Sequence, residues 1–127
     1  MPHETIEQVI AAYFANIAAM NPEGWIDNFA EDAVSHDPVG EPPTKVHEGY
    51  QQFIGQLQAV FAKLEATTEH IFIAANEAAV KWTMSGVSKS GKSVTFAGIT
   101  IFEVNAAGKI QTTRAYWHPA QMIAQLR

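Results

Sequence analysis

Hydrophobic residues in the first half of the chain recur at helical spacing. Apolar side chains at every third or fourth position over residues 5–20 form one stripe, which predicts an amphipathic helix with Thr5 as its N-cap. A shorter apolar group predicts a second helix over residues 24–31, and residues 47–64 repeat the helical period and predict a third. Between the second and third helices, only residues 33–35 are predicted to be extended.

The pattern changes to a strand period in the second half. Residues 67–74, 78–88, 93–104 and 110–118 are rich in β-branched residues or alternate in polarity, and turn-forming residues separate them. Pro119 ends the last strand and leaves a short helical tail. Helices followed by consecutive antiparallel strands are typical of an α+β layer fold, which we predict as one domain over residues 1–127.

Alternation also predicts which strand residues share a face. Two neighbouring strands contribute two such sets: Val94, Phe96, Gly98, Thr100 and Phe102 in one, and Val80, Trp82, Met84 and Gly86 in the other. In the last strand, Ala115 and Trp117 lie on one face, whereas Arg114, Tyr116 and His118 lie on the opposite face. The alternation alone does not decide which of these two faces points inward.

Composition narrows the function classes. The chain has a net charge of -5, and its 8 lysines and arginines do not cluster, so we expect no nucleic-acid and no membrane-surface partner. It has no cysteine, which excludes disulfides, thiolate catalysis and cysteine-ligated zinc. The N-terminal sequence lacks the features of a signal peptide, and no apolar run approaches the roughly 20 residues of a membrane span, so we expect a cytoplasmic protein.

The sequence HDPVGEPP at residues 36–43 sets one carboxylate, Asp37, on a stiff loop between hydrophobic segments. Asp before Pro is common in ordinary turns, but an apolar environment could also tune the pKa of Asp37 for general-base catalysis. Tyr13 lies within the first apolar stripe, either as a core residue or as a phenol that donates a hydrogen bond into a pocket. The histidines and acidic residues show no metal-ligand spacing, so we expect no metal and no cofactor.

Several short motifs together resemble the ketosteroid isomerase (steroid Δ-isomerase) family, within the wider nuclear transport factor 2-like and SnoaL-like (polyketide cyclase-like) superfamily. They run in the family's order over nearly the whole chain: AY at 12–13, FAEDA at 29–33, DPVG at 37–40, ANEAA at 75–79, GITIF at 98–102, AGKI at 107–110 and RAYW at 114–117. The resemblance implies a cystatin-like, cone-shaped curved antiparallel sheet wrapped around N-terminal helices. It further implies a deep apolar pocket and a homodimer formed through the sheet.

The resemblance also implies roles for individual residues. In the isomerases a pocket aspartate moves a proton between two carbons of an unsaturated ketone, while a tyrosine and a protonated aspartic acid donate hydrogen bonds to the dienolate oxygen. Asp37 matches the base, Tyr13 matches the oxyanion tyrosine, and Thr100 stands where the family has its aspartic acid. The apolar residues expected to bind a hydrophobic small-molecule substrate are Phe53, Trp82, Met84, Phe96 and Trp117.

These matches leave more than one function open. The first is cofactor-independent proton transfer α to a carbonyl, with steroid isomerisation weakened because losing one oxyanion donor costs about 10²–10³-fold in rate. The second is a non-catalytic domain that binds a hydrophobic ligand, because this fold supports both roles. A third is polyketide-type cyclisation or epoxide hydrolysis, for which Asp37 with Arg114 is the available support.

Overall fold

The computed structural model describes residues 1–127 as four helices and six strands. In chain order the elements are α1 (His3–Ala18), α2 (Pro22–Ile26), β1 (Phe29–His36), β2 (Thr44–Lys45), α3 (Val46–Val60), β3 (Phe61–Ala74), β4 (Glu77–Ser88), β5 (Ser93–Val104), β6 (Ile110–Tyr116) and α4 (Pro119–Leu126). The predicted α+β fold, with most helices before the long strands and one short helix at the end, is confirmed.

The strands form one curved six-stranded sheet in the order β2-β1-β6-β5-β4-β3. The long strands β3 to β6 pair antiparallel with their chain neighbours, as predicted. The expectation of a fully antiparallel sheet is wrong at one point, because β1 pairs with β6 in parallel. This pairing brings the first strand beside the last and places the loop that follows β1 next to the end of β6.

The predicted start of α1 is wrong by three residues, because the N-cap is Pro2 rather than Thr5. Pro2 holds the N-cap position in an extended conformation with no side-chain cap, and the helix begins at His3, so Thr5 lies inside it. Proline is tolerated at a helix start because the first N–H groups have no helical partner. The predicted stripe is otherwise confirmed, since Ile6, Ile10 and Tyr13 are all buried.

The second predicted helix is shorter than expected and begins earlier. The Asn21 side chain accepts a hydrogen bond from the Gly24 N–H at 3.2 Å and caps the start of α2. The Asn28 side-chain amide donates to the carbonyls of Gly24 and Trp25 at 3.1 and 3.2 Å, which satisfies groups left free where the helix ends. Phe29 then pairs with Ile110, so β1 occupies residues predicted to be helical.

The third predicted helix also ends early. Residues 61–64, which fit the helical period, begin β3 because Phe61 pairs with Ser88, while the Val60 carbonyl accepts the Lys89 N–H at 2.9 Å. Cross-strand pairing thus overrides a local pattern, as is common for short apolar runs. The two-residue strand β2 was not predicted, and β6 ends at Tyr116 rather than His118.

The face of β6 that points inward is settled by burial. Ala115 is 4% exposed, whereas Tyr116 is 51% exposed on the outer face of the sheet. Phe72 and Ile99 are exposed on the same outer face, at 72% and 44%. The homodimer expected from the family stays a prediction. The helices of the structure are all too short or too polar to cross a membrane.

Candidate active site

The inner face of the sheet and three helices enclose a cavity of about 420 Å³. Of its 18 lining residues, 13 are hydrophobic, and they come from α1, α3, α4, the loop after β1 and strands β3 to β6. The lining includes every side chain that the sequence predicted for a site: Tyr13, Asp37, Phe53, Trp82, Met84, Phe96, Thr100 and Trp117. The structure therefore brings these residues together, while their chemical roles stay predictions.

The loop after β1 is fixed against the end of β6. His36 pairs with Arg114 in the parallel ladder, and the Asp37–Pro38 peptide that follows is cis. The Val39 N–H then donates to the Ala115 carbonyl at 2.8 Å. These contacts on both sides of Asp37 hold its backbone in place, so its side chain lines the cavity from a rigid loop.

Trp117 makes a hydrogen bond to Asp37 that the sequence did not predict. Its Nε1–H donates to Asp37 Oδ1 at 2.6 Å, a short distance typical of a charge-assisted bond. Asp37 is reached by solvent, yet the surrounding protein raises the pKa of its carboxyl through burial, and the Trp117 bond opposes this effect only in part. The carboxyl is thus a stronger base than an ordinary aspartate and is held in one orientation.

The raised pKa predicts a pH-dependent effect on stability. Above the ordinary pKa of 3.8, the folded protein binds more protons at Asp37 than the unfolded chain, so this residue lowers stability as pH rises towards its folded pKa. Asp37→Asn removes the titration but keeps an oxygen for Trp117. We expect the variant to melt at a higher temperature than wild type at pH 7 and to lose that advantage near pH 4, as measured by calorimetry. A difference in melting temperature between Asp37→Asn and wild type that does not change with pH would contradict the raised pKa of Asp37.

Tyr13 faces the cavity from the buried stripe of α1. Its ring is 6% exposed and makes edge-to-face contacts with Phe14 and Phe102 at centroid distances of 4.9 Å. Its hydroxyl makes no hydrogen bond within the protein, and the residue lines the cavity. Burial, followed by the negative charge of Asp37, raises the pKa of Tyr13 far above its usual value. The hydroxyl therefore stays protonated and available as a donor.

Thr100 is 2% exposed on the inner face of β5, and its hydroxyl is oriented by Trp82. Trp82 Nε1–H donates to Thr100 Oγ1 at 2.8 Å, so the Thr100 proton remains free for another acceptor. The sequence predicted Trp82 and Trp117 only as apolar wall. Both residues do line the cavity, and their indole N–H groups also bind the oxygen atoms of Thr100 and Asp37, respectively.

The Trp82–Thr100 pair predicts a measurable effect on stability. Thr100→Val leaves the buried Trp82 N–H without a partner and is expected to lower the free energy of unfolding by about 1–3 kcal/mol. Trp82→Phe in the Thr100→Val background removes that unpaired donor. It should therefore lower the free energy of unfolding by less in that background than it does in the wild type. Thr112→Val, at a half-buried position of β6, is the matched control. The free energies of unfolding are measured by urea titration. If the losses caused by Trp82→Phe and Thr100→Val simply add in the double variant, the hydrogen bond between these residues does not contribute to stability.

Gly98 allows the two tryptophans to meet beneath the cavity. A Cβ atom at this position would lie 2.7 Å from Trp82 Cζ2 and 2.8 Å from Trp117 Cβ. Because the two indole rings approach to a centroid distance of 6.2 Å beside this residue, any side chain at Gly98 would displace them. The alternation of β5 predicted the face of Gly98 but not this close approach.

Other cavity residues were not predicted as part of a site. Leu57 and Val60 continue the stripe of Phe53 along α3, so their helical spacing was a usable signal. Met122 comes from α4, which is held to β5 because the Gln125 side chain exchanges two hydrogen bonds of 2.8 Å with the Thr95 backbone. Histidine and acidic side chains form no cluster of three or more that could hold a metal ion.

A curved sheet packed on helices around an internal cavity defines the class of cone-shaped α+β domains. Residues 10–113 match the SnoaL-like domain family, and the chain belongs to this family of the nuclear transport factor 2-like superfamily. The resemblance noted from the motifs is thereby confirmed at the level of the family and the fold.

Individual relatives span nearly the full chain. The protein is 24% identical over 119 residues to a steroid Δ-isomerase of Nocardioides simplex, covering 93% of this chain and 94% of that one. Among solved structures, an epoxide hydrolase/cyclase-like enzyme of pyran ring formation in the polyether salinomycin matches with a TM-score of 0.80, 17% identity and coverage of 94% and 95%. A Mycobacterium tuberculosis protein in complex with estradiol-17β-hemisuccinate matches with a TM-score of 0.79, 24% identity and coverage of 92% and 96%.

Proposed function

We propose that the protein is a small-molecule enzyme that transfers a proton between carbons of a hydrophobic carbonyl compound. The observation that supports this most directly is that the Asp37 carboxylate and the hydroxyls of Tyr13 and Thr100 line one predominantly apolar cavity. Apolar walls favour the body of a hydrophobic substrate, and a few polar groups fix its orientation. The cavity volume of about 420 Å³ lies within the range of ordinary ligand sites, about 300–1,000 Å³.

In the proposed reaction Asp37 carries the proton, and Tyr13 and Thr100 stabilise the oxygen. Asp37 removes a proton from the carbon α to the carbonyl, and the electron pair of that C–H bond moves to the oxygen to form a dienolate. The hydroxyls of Tyr13 and Thr100 donate hydrogen bonds to this oxygen, and Asp37 then returns the proton to the γ carbon. The substrate double bond shifts, and no atom or electron is gained or lost.

The surroundings of these groups suit the reaction. Burial makes Asp37 a stronger base, while Trp117 keeps one carboxyl oxygen in position. Tyr13 donates from a site with few competing partners, where electrostatic stabilisation is stronger than in water. Thr100 is a much weaker acid than the aspartic acid of the isomerases, so we expect slower turnover of steroids than in that family.

The relatives support a hydrophobic ligand. One is named a steroid Δ-isomerase, and another protein of the same fold was solved with estradiol-17β-hemisuccinate. Hydrolysis of an epoxide with help from Arg114 is less well supported, because Arg114 does not line the cavity and instead forms an ion pair with Glu77 at 3.3 Å. No step of the proposed reaction requires a metal or cofactor.

Isotope exchange tests the proposal directly. Wild-type protein is incubated in D₂O with cyclohex-2-enone or a 3-keto-Δ5 steroid, and NMR follows the acidic α- and γ-hydrogens. We expect exchange faster than in buffer, and we expect 2-naphthol, a phenol that resembles the dienolate, to inhibit it. Exchange at the buffer rate with saturating ligand bound would contradict the proposal.

A non-catalytic ligand-binding domain is the second candidate, and the replacement of the family's acid by Thr100 favours it. Both candidates predict that a hydrophobic carbonyl compound binds in the cavity. Only the enzyme predicts proton exchange, so binding without exchange would favour the second candidate.

A further inference from the structure

A second, smaller cavity lies beside the first, between β1, β2 and α3. It has a volume of about 100 Å³ and shares Asp37 and Phe53 with the large cavity. Only 4 of its 8 lining residues are hydrophobic, so this cavity is more polar than the large one. The 8 lining residues are Trp25, Ser35, Asp37, Thr44, Val46, Gly49, Tyr50 and Phe53. We refer to this space as the side chamber.

The walls of the side chamber offer free hydrogen-bonding groups. Ser35 Oγ accepts the Thr113 hydroxyl at 2.9 Å, which leaves the Ser35 proton available to another acceptor. The Thr44 hydroxyl has no partner within the protein, and Tyr50 receives only a long bond of 3.4 Å from Gln51. These donors and acceptors suit a small polar molecule better than an apolar ligand.

The chamber has room for water and access to solvent. Its volume of about 100 Å³ exceeds the about 10–15 Å³ that one water needs, so several waters fit. Thr44 is exposed on the short edge strand β2, whereas Asp37 also faces the large cavity. The chamber thus joins the solvent-exposed edge of the sheet to the carboxyl group.

We propose that the side chamber holds ordered water in contact with the Asp37 carboxyl and exchanges its proton with solvent without passing through the large cavity. Asp37 has an oxygen to spare for this contact, since Trp117 occupies only Oδ1. The protonated carboxyl gives its proton to a chamber water and receives another from the same water chain, so that charge and atoms balance. The exchange step rests on the proposed function, whereas the water site does not.

Proton exchange through the side chamber would change the isotope content of the product formed in D₂O. A substrate proton held by Asp37 can be replaced by a solvent proton before it returns to carbon. Product formed in D₂O should therefore contain deuterium at the carbon that accepts the proton. If the large cavity is filled by substrate, the side chamber is the route by which that deuterium arrives.

Two glycines of α3 provide a matched pair of variants. A side chain at Gly49 enters the chamber wall, where even a Cβ atom would lie 3.0 Å from Thr44 Cγ2. Gly55 lies on the same helix, lines neither cavity and has no atom within 4 Å of a built Cβ. Gly49→Leu and Gly55→Leu both replace a helical glycine, so their helix propensities change alike, but only the first blocks the chamber.

High-resolution crystal structures test the water site. We expect wild type and Gly55→Leu to show ordered water within hydrogen-bond distance of the Asp37 carboxyl through the chamber, and Gly49→Leu to lack it. A wild-type chamber without ordered water would overturn the inference. This readout does not depend on any reaction, so it decides the water site even if the proposed enzyme activity is absent.

Isomerisation of a 3-keto-Δ5 steroid in D₂O tests the exchange route. We expect the fraction of product that contains deuterium to fall severalfold in Gly49→Leu and to stay at the wild-type value in Gly55→Leu. An unchanged fraction in Gly49→Leu, with isomerisation intact, would overturn the exchange route and leave the proposed function standing. Absence of any proton transfer in wild type would instead overturn the proposed function and the exchange step together.

Discussion

Asp37→Asn is expected to lower the rate of enone proton exchange by about 10²–10⁴-fold, the usual contribution of a general base. Asparagine has nearly the same shape and keeps an oxygen that can accept the 2.6 Å bond from Trp117. The loop should also keep its place, because the Val39 N–H bond to Ala115 involves only backbone atoms. The loss should therefore appear in kcat, with little change in the affinity for a carbonyl ligand.

The control for Asp37→Asn is the same substitution at Asp32. Asp32 lies on β1, is exposed, and accepts a hydrogen bond from Gln111 at 2.9 Å outside the cavity. Asp32→Asn should exchange the enone at the wild-type rate. Equal rates in wild type and Asp37→Asn would show that another group removes the proton. The comparison is made by NMR under saturating enone.

Tyr13→Phe is expected to slow exchange by about 10²–10³-fold, the cost of removing one oxyanion donor. The hydroxyl makes no hydrogen bond within the protein, so its loss leaves no group unpaired, and the ring keeps its contacts with Phe14 and Phe102. We therefore expect stability equal to or slightly above wild type. A loss of activity without a loss of stability distinguishes a donor from a structural tyrosine.

Tyr116→Phe is the control for Tyr13→Phe, because Tyr116 is 51% exposed on the outer face of the sheet. This variant should have wild-type activity. Since the pKa of Tyr13 is raised by burial and by Asp37, wild-type activity should show no decline from tyrosine ionisation at mildly alkaline pH. A Tyr13→Phe variant as active as Tyr116→Phe would exclude Tyr13 as the oxyanion donor.

The sequence predicted the lining of the cavity more completely than it predicted the boundaries of the helices and strands. Strand alternation placed Trp82 with Met84 on one side of β4. It placed Phe96 with Thr100 on one side of β5, because side-chain direction in a strand has a strict period of two. All of them line the cavity. The ends of helices and strands depend instead on tertiary pairing. Residues 61–64 have the local pattern of a helix, yet they form part of β3 because they pair with β4.

The hydrogen bonds within the site required the fold. Trp82 meets Thr100 because β4 pairs with β5 so that Val80 lies directly opposite Thr100. Trp82 is two residues further along β4 and points to the same inner face, where its indole reaches the Thr100 hydroxyl. Trp117 meets Asp37 because β1 pairs in parallel with β6, a contact between distant segments that no local pattern indicates. The side chamber depends likewise on the unpredicted strand β2.

In the proposed complex, a carbonyl oxygen of the substrate binds between Tyr13 and Thr100, and its neighbouring carbon lies beside Asp37. A crystal structure with 2-naphthol tests this most directly, because a phenol presents an oxygen and a ring like those of the dienolate. We predict the naphthol oxygen within hydrogen-bond distance of Tyr13 Oη and Thr100 Oγ1, with the ring edge against the Asp37 carboxyl. Naphthol bound in the cavity with its oxygen away from both hydroxyls would contradict the claim.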